Sequence, residues 1–287
     1  NSSFVVHLAG GARAFLRVYE EQDHGGALRE ARLLEHLARR GARTPRPLAT
    51  RRGELVVEAR GKPCAVFPFV EGAMVCQRAV TPAHTEALGR ELARLHDAAA
   101  GAEPHPSRFD PGPLAERVAT IAKARDAELA ALAPALGAEL AAIAAARAPL
   151  PSGVVHADVF RDNVLWQGGE LAAVLDFESA ATGTFTYDLA VALLAWTYGD
   201  AFEPALARAL VAGYQRERAL TGPEAAGLYD EARYAALRFT VTRLTDVEMR
   251  RDPAGPPPKK SFRRFRARGE ALLAMGRAGF ADLVGLA

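Results

Sequence analysis

Between Gly153 and Glu178 the chain reads GVVHADVFRDNVLWQGGELAAVLDFE, with a His, three Asp and an Asn set among apolar runs of strand length. Gly168-Gly169 is the natural turn, because two successive residues with positive φ close a two-residue hairpin without splaying its strands. Such a loop pairs Gln167 with Glu170, Leu165 with Ala172 and Asn163 with Val174. Side chains alternate faces along a strand. Val164, Trp166, Leu171, Ala173, Leu175 and Phe177 therefore form a core face. Asn163 and Asp176 share the other face as diagonal neighbours, roughly 7–8 Å apart between backbones, a gap polar side chains can close around one ion. A bulge would slip this register by one. The segment demands a buried hairpin with a polar rim, and the rest of the fold has to cover it.

Ahead of the hairpin, SFVVHLA and ARAFLRVYE flank Gly10-Gly11, the pattern of a first hairpin. A helix is predicted from Ala27 to Arg40, ended by Gly41. Thr44 to Pro47 reads as extended, since a residue before proline avoids the helical region. ELVVEA and CAVFPFV form a second hairpin around Arg60-Gly61-Lys62, and VEGA (Val70 to Ala73) leads out of it. From Thr81 onward helices dominate, with Thr81 as cap and Pro82 in first position. The Ala-rich stretch Pro113 to Arg147 is helical by propensity. Further helices are expected over Tyr187–Tyr198, Phe202–Leu220, Pro223–Met249 and Ser261–Met275, with a loop at Arg250–Lys260. The expectation is an α+β chain with two lobes. Residues 1–72 form a small antiparallel sheet with one helix, and 73–287 form a larger, mainly helical lobe.

Composition narrows the partners. With 36 basic and 34 acidic residues the formal charge is +2, which gives no electrostatic footprint for nucleic acid. The longest apolar run noted, LAVALLAW (Leu189 to Trp196), is too short for a bilayer, so no membrane partner is expected. Two cysteines, Cys64 and Cys76, make no disulfide framework; each reads as a small buried hydrophobe, and a cytoplasmic setting is expected. The opening NSSFVV is already strand-like and lacks Met, so further residues are expected upstream. The basic run PKKSFRRFRAR (Pro258 to Arg268) reads as a solvated helix face, with phosphate or substrate contact as the alternative.

The polar rim carries the chemistry. An Asn and an Asp converging without Cys or His favour a hard cation, and Mg²⁺ fits, taking one or two protein oxygens and the rest from water and phosphate. Asp158 lies five residues before Asn163, the offset of the Asp and Asn in the protein-kinase catalytic loop. There the Asp accepts the proton of the attacking hydroxyl and the Asn holds a metal on the phosphates. Taken singly, Asp158 and Asp162 are ordinary turn formers; the set His156, Asp158, Asn163 and Asp176 on one hairpin is not ordinary. His156 is expected to organise the loop, Asp162 has no derivable role, and Arg161 is expected to face solvent.

Phosphate transfer also needs a cation in the first lobe. A two-residue turn at Gly10-Gly11 places Phe4 opposite Arg17 and Ser2 diagonal to it, with Ser2 and Ser3 as candidate nucleotide contacts. On a helical wheel Glu30 falls within the apolar stripe of Leu33, Leu34 and Leu37. A buried carboxylate needs a partner, and Arg17 on the covered sheet is the candidate. Phe69 and Val70, where the chain leaves the sheet, are candidates for adenine. Asp188 in TYDLAVALLAW is read as a helix cap that ties its helix to the catalytic loop.

These residues together resemble the aminoglycoside phosphotransferase and choline kinase superfamily, through HADVFRDNVLW, AAVLDFE, YDLA, REARLLEHLARRGARTPRPLA and LGRELARLH. The resemblance spans nearly the whole chain and implies a protein-kinase-like fold. It implies Asp158 as catalytic base, Asn163 and Asp176 as Mg²⁺ ligands, and Arg17 with Glu30 as the pair orienting the ATP phosphates. Within the superfamily, HADVFRDNVLWQGGELAAVLDFESA, NSSFVV and ALRFTVTRLTD are similar to bacterial kinase-fold homoserine kinases. That implies ATP and a small-molecule alcohol, L-homoserine, as substrates. Glu178 is the candidate for the acceptor's ammonium, and Arg238 or Arg243 for its carboxylate; Arg243 has Asp246 as an alternative local partner. Two departures fall near the acceptor pocket: Glu178 where an aromatic run is expected, and LLAW (Leu193 to Trp196) without polar residues. Aminoglycosides, choline and other amino-alcohols or sugars are alternative acceptors. A non-catalytic nucleotide-binding scaffold is the alternative of another class.

Overall fold

The computed structural model describes residues 1–252, 258 and 260–286. Strands β1 (Ser2–His7), β2 (Arg13–Val18), β3 (Val57–Ala59) and β4 (Lys62–Pro68) form one antiparallel sheet in the order β1-β2-β4-β3. Arg60 and Gly61 both have positive φ, which closes β3 onto β4 with a two-residue turn. The first hairpin turns differently from expectation. Leu8 donates its N–H to the Ala12 carbonyl at 2.8 Å, leaving Ala9, Gly10 and Gly11 as the loop. The register moves by one as a result, so Arg17 stands opposite Ser3 and Phe4 opposite Leu16.

Helix α1 (His24–Arg39) crosses this sheet. It begins three residues before the predicted start because Asp23 caps it, accepting the Gly26 N–H at 2.7 Å. Ala27, Glu30, Ala31, Leu33, Leu34 and Leu37 are its buried face. Beyond the sheet, Gly72 passes so close to β6 (Val164–Gln167) that a Cβ there would stand 3.0 Å from the Leu165 Cβ. Ala73 then pairs with Trp166. The connecting chain is thus stitched directly to the site hairpin.

The remaining helices are α2 (Pro82–Ala98), α3 (Pro111–Ile121), α4 (Ala127–Ala130), α5 (Ala133–Ala146), α6 (Phe185–Trp196), α7 (Pro204–Glu217), α8 (Gly222–Arg243) and α9 (Arg263–Val284). α8 ends in a π-helical turn over Leu244–Glu248, and α9 kinks at Gly276. α2 and α7 touch backbone to backbone: a Cβ on Gly89 would lie 2.1 Å from the Leu210 carbonyl oxygen, and one on Gly213 equally close to that of Glu86. α6 is buried along almost its whole length, as its apolar sequence requires. The stretch Ala127–Ala146 is long and apolar enough by composition to cross a membrane, a candidate the sequence reading passed over. It breaks between α4 and α5, and α5 packs on α3 and α8 through Leu136, Leu140 and Ile143. Of the loop expected over Arg250–Lys260, positions 253–257 and 259 lie outside the described residues.

β6 and β7 (Glu170–Val174) form the predicted hairpin, with Gln167 opposite Glu170. A bulge follows, and Val164 rather than Asn163 stands opposite Val174. β5 (Ser152–Val155) and β8 (Ala181–Thr184) make a second antiparallel pair beside it.

Candidate active site

The loop after β5 is held by one buried carboxylate. Asp188 on α6 accepts the His156 N–H at 2.8 Å and the Ala157 N–H at 2.7 Å. It is also 3.2 Å from the His96 Nε2 of α2. Burial would raise its carboxyl, but His96 and the His156 amide outweigh burial and hold it below the usual carboxylate range. Asp188 is therefore not the helix cap; Thr184 is, accepting the Tyr187 N–H at 3.3 Å. Ala157 adopts φ 62°, a left-handed conformation that costs a non-glycine residue energy and is met here by the two Asp188 bonds.

His156 fixes the next step. Its Nδ1 accepts the Asp158 N–H at 3.2 Å, which leaves Nε2 to donate to the Leu175 carbonyl at 2.9 Å. Asn163 ends a short 3₁₀ turn (Arg161–Asn163), and its Nδ2 donates to the Asp158 carbonyl at 2.8 Å and approaches the Asp158 Oδ2 at 3.4 Å. That orients the amide and turns Oδ1 away from the loop. Asp176 stands just past β7 at φ 65°, again left-handed. The bulge slips the pairing by one, so the Leu175 N–H donates to the Asn163 carbonyl at 2.8 Å, and Asp176 follows it in the left-handed conformation.

Arg17 is the hub on the other side. Its Nη1 lies 3.2 Å from the Glu30 Oε1, and its Nη2 lies 2.8 Å from the Asp176 Oδ1 and 3.2 Å from the Glu178 Oε2. Burial would lower the guanidinium, but Glu30 and Asp176 outweigh it and hold it protonated more firmly than usual. Glu30 goes the other way: burial pushes its carboxyl up to about 7, only partly offset by Arg17. Asp176 is lowered, because Arg17 outweighs the opposing effect of burial.

Two cavities meet at this centre. One, of about 520 Å³, is walled by Ser3, Arg17, Glu30, Phe69, Val70 and Asn163. The other, of about 840 Å³, is walled by Asp158, Arg238, Arg243 and the basic residues near the C-terminus. Asp176 and Glu178 line both. Ser2 does not reach the first cavity. With Ser3 opposite Arg17, strand alternation turns Ser2 to the other face, where its Oγ donates to Glu20 at 2.9 Å. No hydrogen bond is made by the Val70 backbone among the described residues, whereas the Phe69 N–H donates to the Arg13 carbonyl at 3.4 Å.

Glu178 departs from its expected place as a strand residue. The chain enters a 3₁₀ turn (Phe177–Ser179) after Asp176, and the Glu178 carboxylate turns onto Arg17 and the Asn1 amide, 2.8 Å away. Arg238 is 3% exposed, with its guanidinium 3.7 Å from the ring centres of Phe109 and Phe239 and Nη1 3.6 Å from the Asp158 Oδ1. Arg243 does not pair with Asp246, which Arg117 on α3 takes at 2.6 Å. Arg243 instead stacks near Phe265 and donates to the Ser261 carbonyl at 3.2 Å. Burial, then repulsion from Arg264, lowers its guanidinium to about 10.

Other placements were missed in the sequence. Arg161 is not solvated: it donates to Gln77 Oε1 at 2.5 Å and to the Ala195 carbonyl, and so forms cavity wall. Cys64 is buried as expected, but Cys76 is exposed, on the wall of the larger cavity. The basic run is not one solvated face, since Lys260, Arg264 and Arg268 line that cavity. Its signal was present. Phe262 and Phe265 are spaced to bury one side of α9, and Arg268, three residues on, falls on that side. Phe109, in a loop, gave no signal.

The donor set suits a divalent ion. The Asn163 Oδ1 and the Asp176 carboxylate are hard oxygens. Among the described residues no cluster of three or more His, Cys, Asp or Glu offers an all-protein cage. Two protein oxygens beside a phosphate-sized space is the environment Mg²⁺ accepts, with water and phosphate completing its shell.

Residues 1–229 match the model of a family described as the phosphotransferase enzyme family. The chain is 40% identical over 257 residues to a homoserine kinase of Nitrobacter winogradskyi, covering 86% of this chain and 76% of that one. A homoserine kinase of Phenylobacterium zucineum is 40% identical over 256 residues, with 86% and 77% covered. Among solved structures, amicoumacin kinase hAmiN in complex with AMP-PNP, Ca²⁺ and Ami superposes with a TM-score of 0.75 at 15% identity, over 96% of this chain and 86% of that. A choline/ethanolamine kinase family protein from Mesorhizobium loti gives 0.65 at 18% identity, over 98% and 91%. At these identities the structural likeness speaks for the fold, which is protein-kinase-like.

Proposed function

This chain belongs to the phosphotransferase enzyme family, and from that premise we propose that it transfers the γ-phosphoryl group of ATP to the hydroxyl of L-homoserine, giving ADP and O-phospho-L-homoserine. It is an ATP-dependent kinase with an alcohol group as acceptor. The observation that carries the reading is the junction of the two cavities: Asp158 faces one, Asn163 the other, and Asp176 both. A nucleotide in the first and an alcohol in the second would meet there.

In this reading residues 1–72 form the nucleotide lobe and 73–287 the lobe for catalysis and acceptor. Ser3, Phe69 and Val70 line the nucleotide space, and the unpaired Val70 backbone is suited to an adenine edge. Arg17, braced by Glu30, aligns the phosphates. Asn163 and Asp176 are the ligands for Mg²⁺, which when bound offsets charge on the transferring phosphoryl group. Asp158 receives the proton of the acceptor hydroxyl, and its bonds to His156 and Asn163 set its position. Catalysis is chiefly positioning and electrostatics. A cytoplasmic setting is supported by the two unpaired cysteines.

The acceptor is named from the relatives and supported by the cavity wall. Arg238, Arg243, Arg264 and Arg268 make that wall basic, which suits a carboxylate and opposes a polycationic aminoglycoside. A coupled ADP-release assay over L-homoserine, choline, an aminoglycoside and 3-amino-1-propanol tests the reading. Turnover should rise with L-homoserine well above the others. A rise only with choline or the aminoglycoside would overturn the acceptor, and no rise with any alcohol would favour the scaffold alternative.

A further inference from the structure

Arg238 is the most unusual group in the molecule. It is 3% exposed, on the wall of the larger cavity, and neither its Nε nor its Nη1 has a hydrogen-bond partner. A buried guanidinium in that state is costly unless a carboxylate completes it. Phe109 and Phe239 clasp its plane, each 3.7 Å from Cζ to ring centre, so it cannot swing away to find water. Its nearest anion is Asp158, at 3.6 Å, beyond the range of a charge-assisted hydrogen bond. Arg243 and Arg268 add positive charge nearby, but Arg268 spends its donors on the carbonyls of Leu194, Arg264 and Tyr198. Among the described arginines lining this cavity, Arg238 is the one with both Nε and Nη1 buried and without a hydrogen-bond partner.

We propose that Arg238 reads the acceptor's carboxylate and in doing so releases Asp158, so that the base is freed only when an anionic alcohol is in place. This rests on the kinase reading and deepens it. Without acceptor, Arg238 is the cation within ion-pair distance of Asp158 among the described residues, and its pull holds that carboxylate off the attacking position. An acceptor carboxylate takes the Nη1 end of the guanidinium, where the Asp158 Oδ1 stands 3.6 Å away, and the Asp158 carboxylate turns to the acceptor hydroxyl. No bond is made or broken by Arg238; it positions the acceptor and the base. The device explains how a cavity much larger than homoserine selects for it, since the contact is a point of charge rather than a fit of shape. It also keeps water from being activated when the cavity holds no acceptor.

The test uses Arg238→Met, which keeps the apolar stem between the two rings, and Arg238→Lys, which keeps charge without the fork. On L-homoserine, kcat/KM of the Met variant should fall by about 100-fold, the scale of a lost buried charge-assisted pair, with most of the loss in KM. On 3-amino-1-propanol, which lacks the carboxylate and so cannot draw Arg238 off Asp158 in the wild type, it should rise several-fold. Lysine should recover part of the loss on L-homoserine. Acceptor-free ATP hydrolysis should rise several-fold in the Met variant. L-2-aminobutyrate, which has the carboxylate but no hydroxyl, should bind the wild type and lose at least tenfold in affinity in the Met variant by calorimetry. Equal losses on both alcohols, or unchanged aminobutyrate binding, would overturn carboxylate reading. Unchanged acceptor-free hydrolysis would overturn the release of Asp158. If the wild type turns over no L-homoserine, the proposed function fails first, and the calorimetry still decides whether Arg238 binds a carboxylate. Melting curves showing folded variants are required before either kinetic result counts.

Discussion

At the scale of single residues, the site is a chain of side chains each fixed by the next. Asp188 sets the His156–Ala157 amides, His156 sets Asp158, and Asp158 sets the Asn163 amide. Asp158→Asn should lower kcat by about 10³-fold while ATP binding measured by fluorescence or calorimetry is retained, since a general base contributes on that order. Near-normal turnover would remove the base assignment. Glu30 makes a pH prediction. Its folded carboxyl is pushed up to about 7 against an unfolded value of 4.5, so the native state binds the extra proton. That contribution to stability is complete below about pH 4.5 and is lost as pH rises through about 7. Glu30→Gln, which does not titrate, should therefore gain on the wild type by up to about 3 kcal/mol between pH 4.5 and 8 in urea melts. A difference that stays flat with pH would show that the Glu30 carboxyl is not raised. The sequence foretold Glu30 and Arg17 through a helical wheel, since a carboxylate amid Leu33, Leu34 and Leu37 has to find a cation. It misplaced Ser2 and the residue opposite Arg17 on β1, because a turn of three residues instead of two shifts the register by one.

At the scale of elements, two contacts carry the arrangement. The α2–α7 crossing depends on Gly89 and Gly213, where backbone meets backbone. Gly89→Ala should destabilise the protein by about 3 kcal/mol, the upper range for overpacking, because the Leu210 carbonyl oxygen cannot yield as a side chain does. A loss under 1 kcal/mol in chemical denaturation would mean the helices slide apart at little cost. Asp188 joins α6 to the loop after β5. Asp188→Ala strips two buried amides and His96 of their acceptor, and should cost about 3 kcal/mol and abolish turnover together. Retained activity in a destabilised protein would show that the loop holds its shape without it. Helix positions were legible because caps and prolines mark them: Thr81, Pro82 and Thr221 stand where the helices begin. The β6–β7 bulge was not, since nothing in LAAVLD singles out the extra residue.

At the scale of the whole molecule, the proposed reaction places one ion between the sheet with α1 on one side and the hairpin and helices on the other. Arg17 spans them already, touching Glu30 of α1 and Asp176 after β7. If Asn163 and Asp176 hold the ion as proposed, ATP should raise the melting temperature far more with Mg²⁺ than with EDTA, since the ion would link nucleotide to both. Equal shifts with and without metal would argue against those two ligands. The sequence by itself determined the element types, the hairpin at Gly168-Gly169, the group of His156, Asp158, Asn163 and Asp176, and the Arg17–Glu30 pair. The elements, the hairpin and the Arg17–Glu30 pair follow from local periodicity, turn chemistry and the cost of a buried charge, and the polar group from its likeness to the spacing of the protein-kinase catalytic loop. Only the tertiary structure decided that Arg238 is sealed between Phe109 and Phe239 beside Asp158, that Glu178 turns to Arg17, and that part of the basic run lines a cavity. Apart from Phe239, the neighbour of Arg238 in the chain, those contacts join residues tens to more than a hundred positions apart. What a side chain meets at that distance is set by how the helices pack, not by the residues beside it in the chain.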